Sequence, residues 1–233
     1  MRKTTTTIAL ASAIAITGCF QATAFEDGKF ADDPARESYA MGVLIGQQLG
    51  QDVPDLEISS FIEGIGAALK GEALQLTESQ IGEAVASYGQ RQMETAQRQH
   101  QERAEKNTAA GSAYQEEFAR QKDVVTLASG VQYQVIESGE GDRPGPDANV
   151  VVHYSGRLID GSEFDSSYAR KEPASFPLSR VIPGWTEVLQ EMNVGAKWKV
   201  VVPPELAYGE LGAGPAIEPN STLVFDIELI EIS

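Results

Sequence analysis

The side chains most often used for nucleophilic or metal chemistry are scarce in this chain: there are two histidines, His100 and His153, and one cysteine, Cys19. Neither histidine has a serine or cysteine nucleophile signature around it, and neither G-x-S-x-G nor H-E-x-x-H occurs. Gly209, Gly212 and Gly214 are spaced as a flexible loop and not as a phosphate cradle. A single cysteine closes no disulfide within the monomer and builds no zinc site of paired thiolates. These scarcities argue against a His-rich metal centre and favour chemistry without a cofactor or a metal. What recurs in the C-terminal half is an aromatic or apolar side chain set beside polar ones: Val152-His153-Tyr154-Ser155-Gly156, Gly161-Ser162-Glu163-Phe164-Asp165-Ser166-Ser167, Val181-Ile182-Pro183-Gly184-Trp185, Ala207-Tyr208-Gly209 and Leu223-Val224-Phe225-Asp226. Pattern alone leaves their use open. Trp185 and Phe225 fall on amphipathic elements and read equally well as core, and Asp165 before two serines reads as a turn residue making local hydrogen bonds.

The elements that carry these residues alternate with period two from about Asp123. Val131, Tyr133 and Val135 form one half-buried face, and Val150, Val152 and Tyr154 another, with His153 on the opposite side. Asp160-Gly161 is a hairpin signal. Trp198, Val200 and Val202 alternate with Lys197 and Lys199, and Leu223, Phe225, Ile227 and Leu229 alternate with Asp226 and Glu228. Between the last two strands and the earlier ones, Ile182-Pro183-Gly184-Trp185 opens one short helix carrying Val188, Leu189 and Met192. Antiparallel strands wrapped on one short helix make an α+β domain.

The preceding part is all helical in pattern. Asp33-Pro34 reads as an N-cap and first helical residue, and Met41, Leu44, Ile45 and Leu49 form one stripe that ends at Gly50 to Pro54. A second helix spans 59–70, with Phe61, Ile62, Ile65 and Leu69 on one face and Gly71 past its end. Thr77-x-x-Gln80 reads as a capping box for a third. That helix has an apolar face only at Ile81, Val85 and Tyr88, and then runs polar from Gln90 to Lys106. A helix polar on all sides is a solvent-bridging rod or no stable helix; strong helix formers throughout favour the rod, with a weak point at Asn107 to Gly111. Three short helices bury too little to be stable alone, so pairing of two chains through their apolar stripes is expected.

The charge balance is 18 Lys+Arg against 34 Asp+Glu, a formal net charge of −16. That argues against nucleic acid as a partner, because such affinity rests on basic side chains neutralising phosphates. At the N-terminus, Arg2 and Lys3 precede an apolar stretch from Ile8 to Thr17, the order of a secretory signal. Two processing readings stand: Ile16-Thr17-Gly18-Cys19 resembles a lipobox, which would leave an acylated Cys19 after residues 1–18, and Ala22-Thr23-Ala24 fits ordinary cleavage after residues 1–24. Either route leads to the bacterial envelope, in the periplasm or anchored by lipid to the outer membrane. The expected organisation is therefore a leader, a helical dimerisation domain with its linker helix at 33–122, and an α+β domain at 123–233.

Over roughly Thr126 to Ile232 the motifs quoted above occur together and in family order, and here the chain resembles the FK506-binding (FKBP-type) peptidyl-prolyl isomerases. Ser38-Tyr39-Ala40-Met41-Gly42 and the long polar helix further resemble the dimeric envelope subgroup typified by the macrophage infectivity potentiator. The resemblance implies an apolar pocket for proline in unfolded or partly folded polypeptides, inhibited by FK506-like macrolides. Tyr154, Phe164, Trp185 and Phe225 match its aromatic wall and floor, with Trp185 beneath the proline ring. Phe176, Val181 and Ile182 match further lining positions, the Ile182 N–H being a donor to substrate. Tyr208 matches the residue whose hydroxyl bonds the substrate backbone, and Asp165 the acidic group at the rim, with Arg170 as its partner. Two positions depart from the pattern: Ala174 stands where some members carry an aromatic residue, and Ala213 and Gly214 occupy the tip of the Tyr208 to Pro219 loop. Both changes imply a pocket more open on one side.

Overall fold

A computed structural model describes residues 32–53 and 55–233. The leader, with Cys19 and both processing readings, lies outside the described residues. The chain divides into two compact units between Thr77 and Glu78.

The first unit holds α1 (Asp33–Asp52) and α2 (Ile58–Lys70). The cap of α1 is Asp32, one residue earlier than the spacing predicts; its carboxylate accepts the Ala35 N–H at 2.9 Å, and Pro34 falls in the first turn, where a missing N–H costs nothing. α2 begins at Ile58 because the Glu57 carboxylate accepts the N–H groups of Ser59 and Ser60, at 3.2 and 2.8 Å. Gly71 ends it in the left-handed region, at φ 68°. Met41, Leu44 and Ile45 on α1, and Ile62, Ile65 and Leu69 on α2, are all exposed, and no residue of either helix is buried.

The second unit opens with α3 (Glu78–Ala119), 42 residues or about 60 Å of helix. It is continuous through Asn107 to Gly111, where the sequence predicts a weak point. Its polar middle is braced by i,i+4 amide–carboxylate bonds, Gln90 to Glu94 and Gln101 to Glu105, both at 2.9 Å. The strands are β1 (Val124–Thr126), β2 (Gln132–Glu137), β3 (Asn149–Leu158), β4 (Glu163–Ser166), β5 (Ala174–Pro177), β6 (Lys197–Val202) and β7 (Leu223–Ile232), all antiparallel, in the order β1-β2-β6-β7-β3-β4 with β5 also on β3. Two short helices, α4 (Ser167–Arg170) and α5 (Pro183–Glu191), complete it.

Alternation on β6 and β7 gives the sheet two working faces. Val200 and Val202 with Leu223, Ile227 and Leu229 turn inward and close on Trp185, Val188, Leu189 and Met192 of α5. Val201 and Val224 turn outward and are covered by Phe118, with Tyr114 beside it, from the last turns of α3. The β3 edge is shared by two strands in tandem: Ser155 and Gly156 pair with Ser166 and Asp165 of β4, while Val150 and Val152 pair with Phe176 and Ala174 of β5. The Asp160-Gly161 turn joins β3 to β4, with Gly161 at φ 91° and the Ser162 N–H donating to the Asp160 carboxylate.

Candidate active site: an aromatic cleft over the short helix

Sharing the β3 edge places Phe164 and Asp165 from β4, and Phe176 from β5, around Tyr154 of β3. Pro183 starts α5 with its φ already helical and sets Trp185 in the first turn, beneath that cluster. Trp185 is 4% exposed, and three rings meet it edge-on: Tyr154 at 5.1 Å, Phe225 at 5.3 Å and Phe176 at 6.0 Å between centroids. Phe164 stands perpendicular to Phe225 at 5.8 Å. Edge-to-face rings attract through their quadrupoles, so the cage holds its shape without filling its centre. Gly156 makes the arrangement possible: a Cβ there would stand 2.7 Å from Phe164 Cζ and 2.9 Å from Phe225 Cε1.

The result is an open cleft of about 200 Å³ lined by Tyr154, Phe164, Asp165, Phe176, Arg180, Val181, Ile182, Trp185, Tyr208 and Phe225. Every site residue expected from the sequence is on its wall. Ala174 and Ala213 pack against the core and do not line it. Arg180 was not expected there: it sits in the single 3₁₀ turn Leu178–Arg180 after β5, where no periodicity marks a side chain as facing a site.

Asp165 is engaged on both oxygens. The Tyr154 hydroxyl donates to Oδ2, and Arg170, at the end of α4, donates to Oδ1 and, through Nη2 at 2.9 Å, to the Tyr154 oxygen. Partial burial alone would raise the Asp165 carboxyl; the bonds from Tyr154 and Arg170 and the guanidinium charge outweigh it and hold the group below its ordinary value. Burial foremost, then the bond to Asp165, pushes the Tyr154 hydroxyl up. The rim is therefore an anion with no proton to lend and a phenol that stays neutral. Three donors on the cleft wall have no acceptor among the described residues: the Ile182 N–H, the Tyr208 hydroxyl and the buried Trp185 Nε1. Such a site can take up an apolar ring, accept the carbonyls flanking it and exclude water, without proton transfer.

Comparison with known proteins places the chain in a family. Residues 141–230 match the family model for FKBP-type peptidyl-prolyl cis-trans isomerase, and residues 34–135 the model for the domain amino-terminal to it. The FKBP-type peptidyl-prolyl cis-trans isomerase FkpA of Escherichia coli O6:H1 is 41% identical over 217 residues, covering 90% of this chain and 80% of that protein. Outer membrane protein MIP of Legionella longbeachae is 38% identical over 200 residues, 86% of each chain. The crystal structure of FkpA from Escherichia coli superposes with a TM-score of 0.76 at 41% identity, covering 87% of this chain and 97% of that one. An aromatic cleft of this composition, in this topology and with relatives of this similarity, means that the chain belongs to the FKBP-type peptidyl-prolyl cis-trans isomerases.

Proposed function

We propose that the cleft seats the proline ring of X–Pro segments in unfolded or partly folded envelope proteins, with Trp185 as floor and Tyr154, Phe164, Phe176 and Phe225 as walls. The observation that carries this reading is the open aromatic cage with unpaired donors on its wall. The barrier to X–Pro rotation is amide resonance, about 20 kcal/mol, and no bond has to break. The planar amide is the more zwitterionic form; a dry aromatic wall disfavours it relative to the twisted one. The Ile182 N–H and the Tyr208 hydroxyl hold the flanking backbone while the carbonyl turns. Asp165, fixed as an anion by Tyr154 and Arg170, keeps the Tyr154 wall in place and sets the field at the rim.

Residues 33–122 serve pairing and 123–233 isomerisation in this reading. The exposed stripes on α1 and α2 support a homodimer, and two cleft-bearing domains on one dimer raise avidity for long clients, which is the basis of a chaperone activity beside turnover. Location in the envelope is supported by the charged and then apolar order at Arg2, Lys3 and Ile8 to Thr17, and by the name of the Legionella relative. No helix among the described residues is long and apolar enough to cross a membrane. Mass spectrometry of the mature N-terminus distinguishes a lipidated Cys19 from a chain starting at Phe25.

The function itself is tested by proline-limited refolding, whose slow phase normally takes tens to hundreds of seconds. Catalytic amounts of the protein are expected to accelerate that phase, and FK506 to abolish the acceleration. A slow phase unchanged by the protein would overturn the reading; acceleration that FK506 leaves intact would overturn the assignment of the cleft to macrolides.

A further inference from the structure

Helix α3 carries a stripe that lies outside the cleft and is not explained by it: Asn107, Gly111 and Gln115, at i, i+4 and i+8. Asn107 Nδ2 donates twice, to the Pro219 carbonyl at 2.9 Å and to Glu218 Oε2 at 3.1 Å. Gln115 Nε2 donates to Thr222 Oγ1 at 3.2 Å. At Gly111 the backbone comes so near that a Cβ would stand 2.2 Å from Thr222 Oγ1. All of these partners lie in Glu218 to Thr222, the return limb of the loop that begins at Tyr208.

That loop is closed on itself. The Asn220 N–H donates to the Gly209 carbonyl at 2.8 Å, and Ala213 and Ile217 exchange two backbone bonds at 2.8 and 3.2 Å. Gly209 is the neighbour of Tyr208. Tyr208 is itself 42% exposed, and its hydroxyl has no partner among the described residues, so the loop backbone is the main determinant of where the ring stands. The bonded path from helix to cleft is thus Asn107, Pro219, Asn220, Gly209, Tyr208. Beyond Asn107 itself every link in it is main chain, which transmits a displacement more faithfully than a chain of rotatable side chains.

We propose that Asn107 is a positioning residue for isomerisation: by anchoring the return limb it fixes the loop that presents Tyr208 to the substrate, and makes α3 a working part of the isomerase. The proposal rests on the role assigned to Tyr208 above. It also gives a role to an asparagine, a poor helix former, in the interior of α3 just after the polar stretch from Gln90 to Lys106. Misplacement of a substrate-holding group by a fraction of an ångström is enough to slow a positioned reaction.

The test is a double-mutant cycle in the full-length chain with a short X–Pro peptide, comparing Asn107→Ala, Tyr208→Ala and the double variant well below their melting temperatures. Asn107→Ala is expected to lower kcat/KM about fivefold, on the order of one to two lost positioning bonds. In the Tyr208→Ala background the same change is expected to have no further effect. Asn107→Asp, of the same size but lacking the amide donor, is expected to lose as much. Because Gly111 and Phe118 still hold the helix in both variants, the tryptophan fluorescence of the folded domain, from Trp185 and Trp198, should stay at the parent value. Full activity of Asn107→Ala and Asn107→Asp, or losses that multiply in the double variant, would overturn the proposal while leaving Tyr208 in place. Full activity of Tyr208→Ala would instead remove the Tyr208 assignment, and the proposal with it.

Discussion

Asp165 has both carboxylate oxygens engaged, one by Tyr154 and one by Arg170, and this decides how the site responds to pH. A carboxyl held below its ordinary value contributes above the unfolded-state pKa, and that contribution is lost only as pH falls through the lowered folded value. The Tyr154 hydroxyl is pushed the other way and remains protonated past neutrality. The isomerase rate is therefore expected to stay level from about pH 8 down to about pH 5, and to fall only below the ordinary carboxylate range. A pH–rate profile on a short X–Pro peptide checks this; a step within that interval would contradict it. Asp165→Ala is expected to lower kcat/KM about three- to tenfold by freeing the Tyr154 hydroxyl and Arg170, a modest loss because the pair is partly solvated. Gly156→Ala acts on the same cage through its walls. Its Cβ would collide with Phe164 and Phe225, so about 1–3 kcal/mol of stability and most of the activity should go, as read by thermal melting and the refolding assay.

At the level of the element, two of the three glycines of α3, Gly89 and Gly111, should respond to replacement with opposite signs. Around Gly89 there is open space, so Gly89→Ala is expected to stabilise the helix by about 1 kcal/mol, the ordinary gain of alanine over glycine. At Gly111 the same gain is opposed by the collision with Thr222, whose hydroxyl is buried and already holds Gln115. Overpacking costs about 1–3 kcal/mol, more than the propensity gain, so Gly111→Ala should be destabilising. Urea titrations of the two variants check the pair, and a stabilised Gly111→Ala would show that the helix does not rest on this limb. The outer face explains why docking occurs here: Val201 and Val224 point away from α5, and without Phe118 and Tyr114 over them the sheet would leave an apolar patch in water.

At the level of the whole molecule, the first unit has two amphipathic helices with no residue buried. Met41, Leu44 and Ile45 with Ile62, Ile65 and Leu69 represent several side chains that each gain about 1.5–3 kcal/mol when fully covered. A second copy of the chain would supply that cover. The mature protein is expected to show twice the monomer mass in light scattering at micromolar concentration, and Ile65→Glu with Leu69→Glu to shift it toward the monomer. Monomeric mass for the parent chain would sink the dimer.

The sequence by itself determined what depends on neighbours along the chain. The alternation of β3, β6 and β7, the hairpin at Asp160-Gly161, the start of α5 at Pro183 and the polar rod of α3 all follow from local periods and turn chemistry. Helix starts slipped by a residue because Asp32 and Glu57, and not the residues after them, reach the free N–H groups. Trp185 and Phe225 read as core from their periodicity, and they are both buried and exposed to the cleft: a cleft floor is a core face left uncovered on one side, which no period distinguishes. Only the tertiary structure decided the rest. Arg180 joins the cleft from a turn without pattern. Asn107 to Gly111 reads as a weakness because propensity is local, whereas its partners Glu218, Pro219 and Thr222 come more than 100 residues later, and contacts across that separation exist only once the sheet has folded.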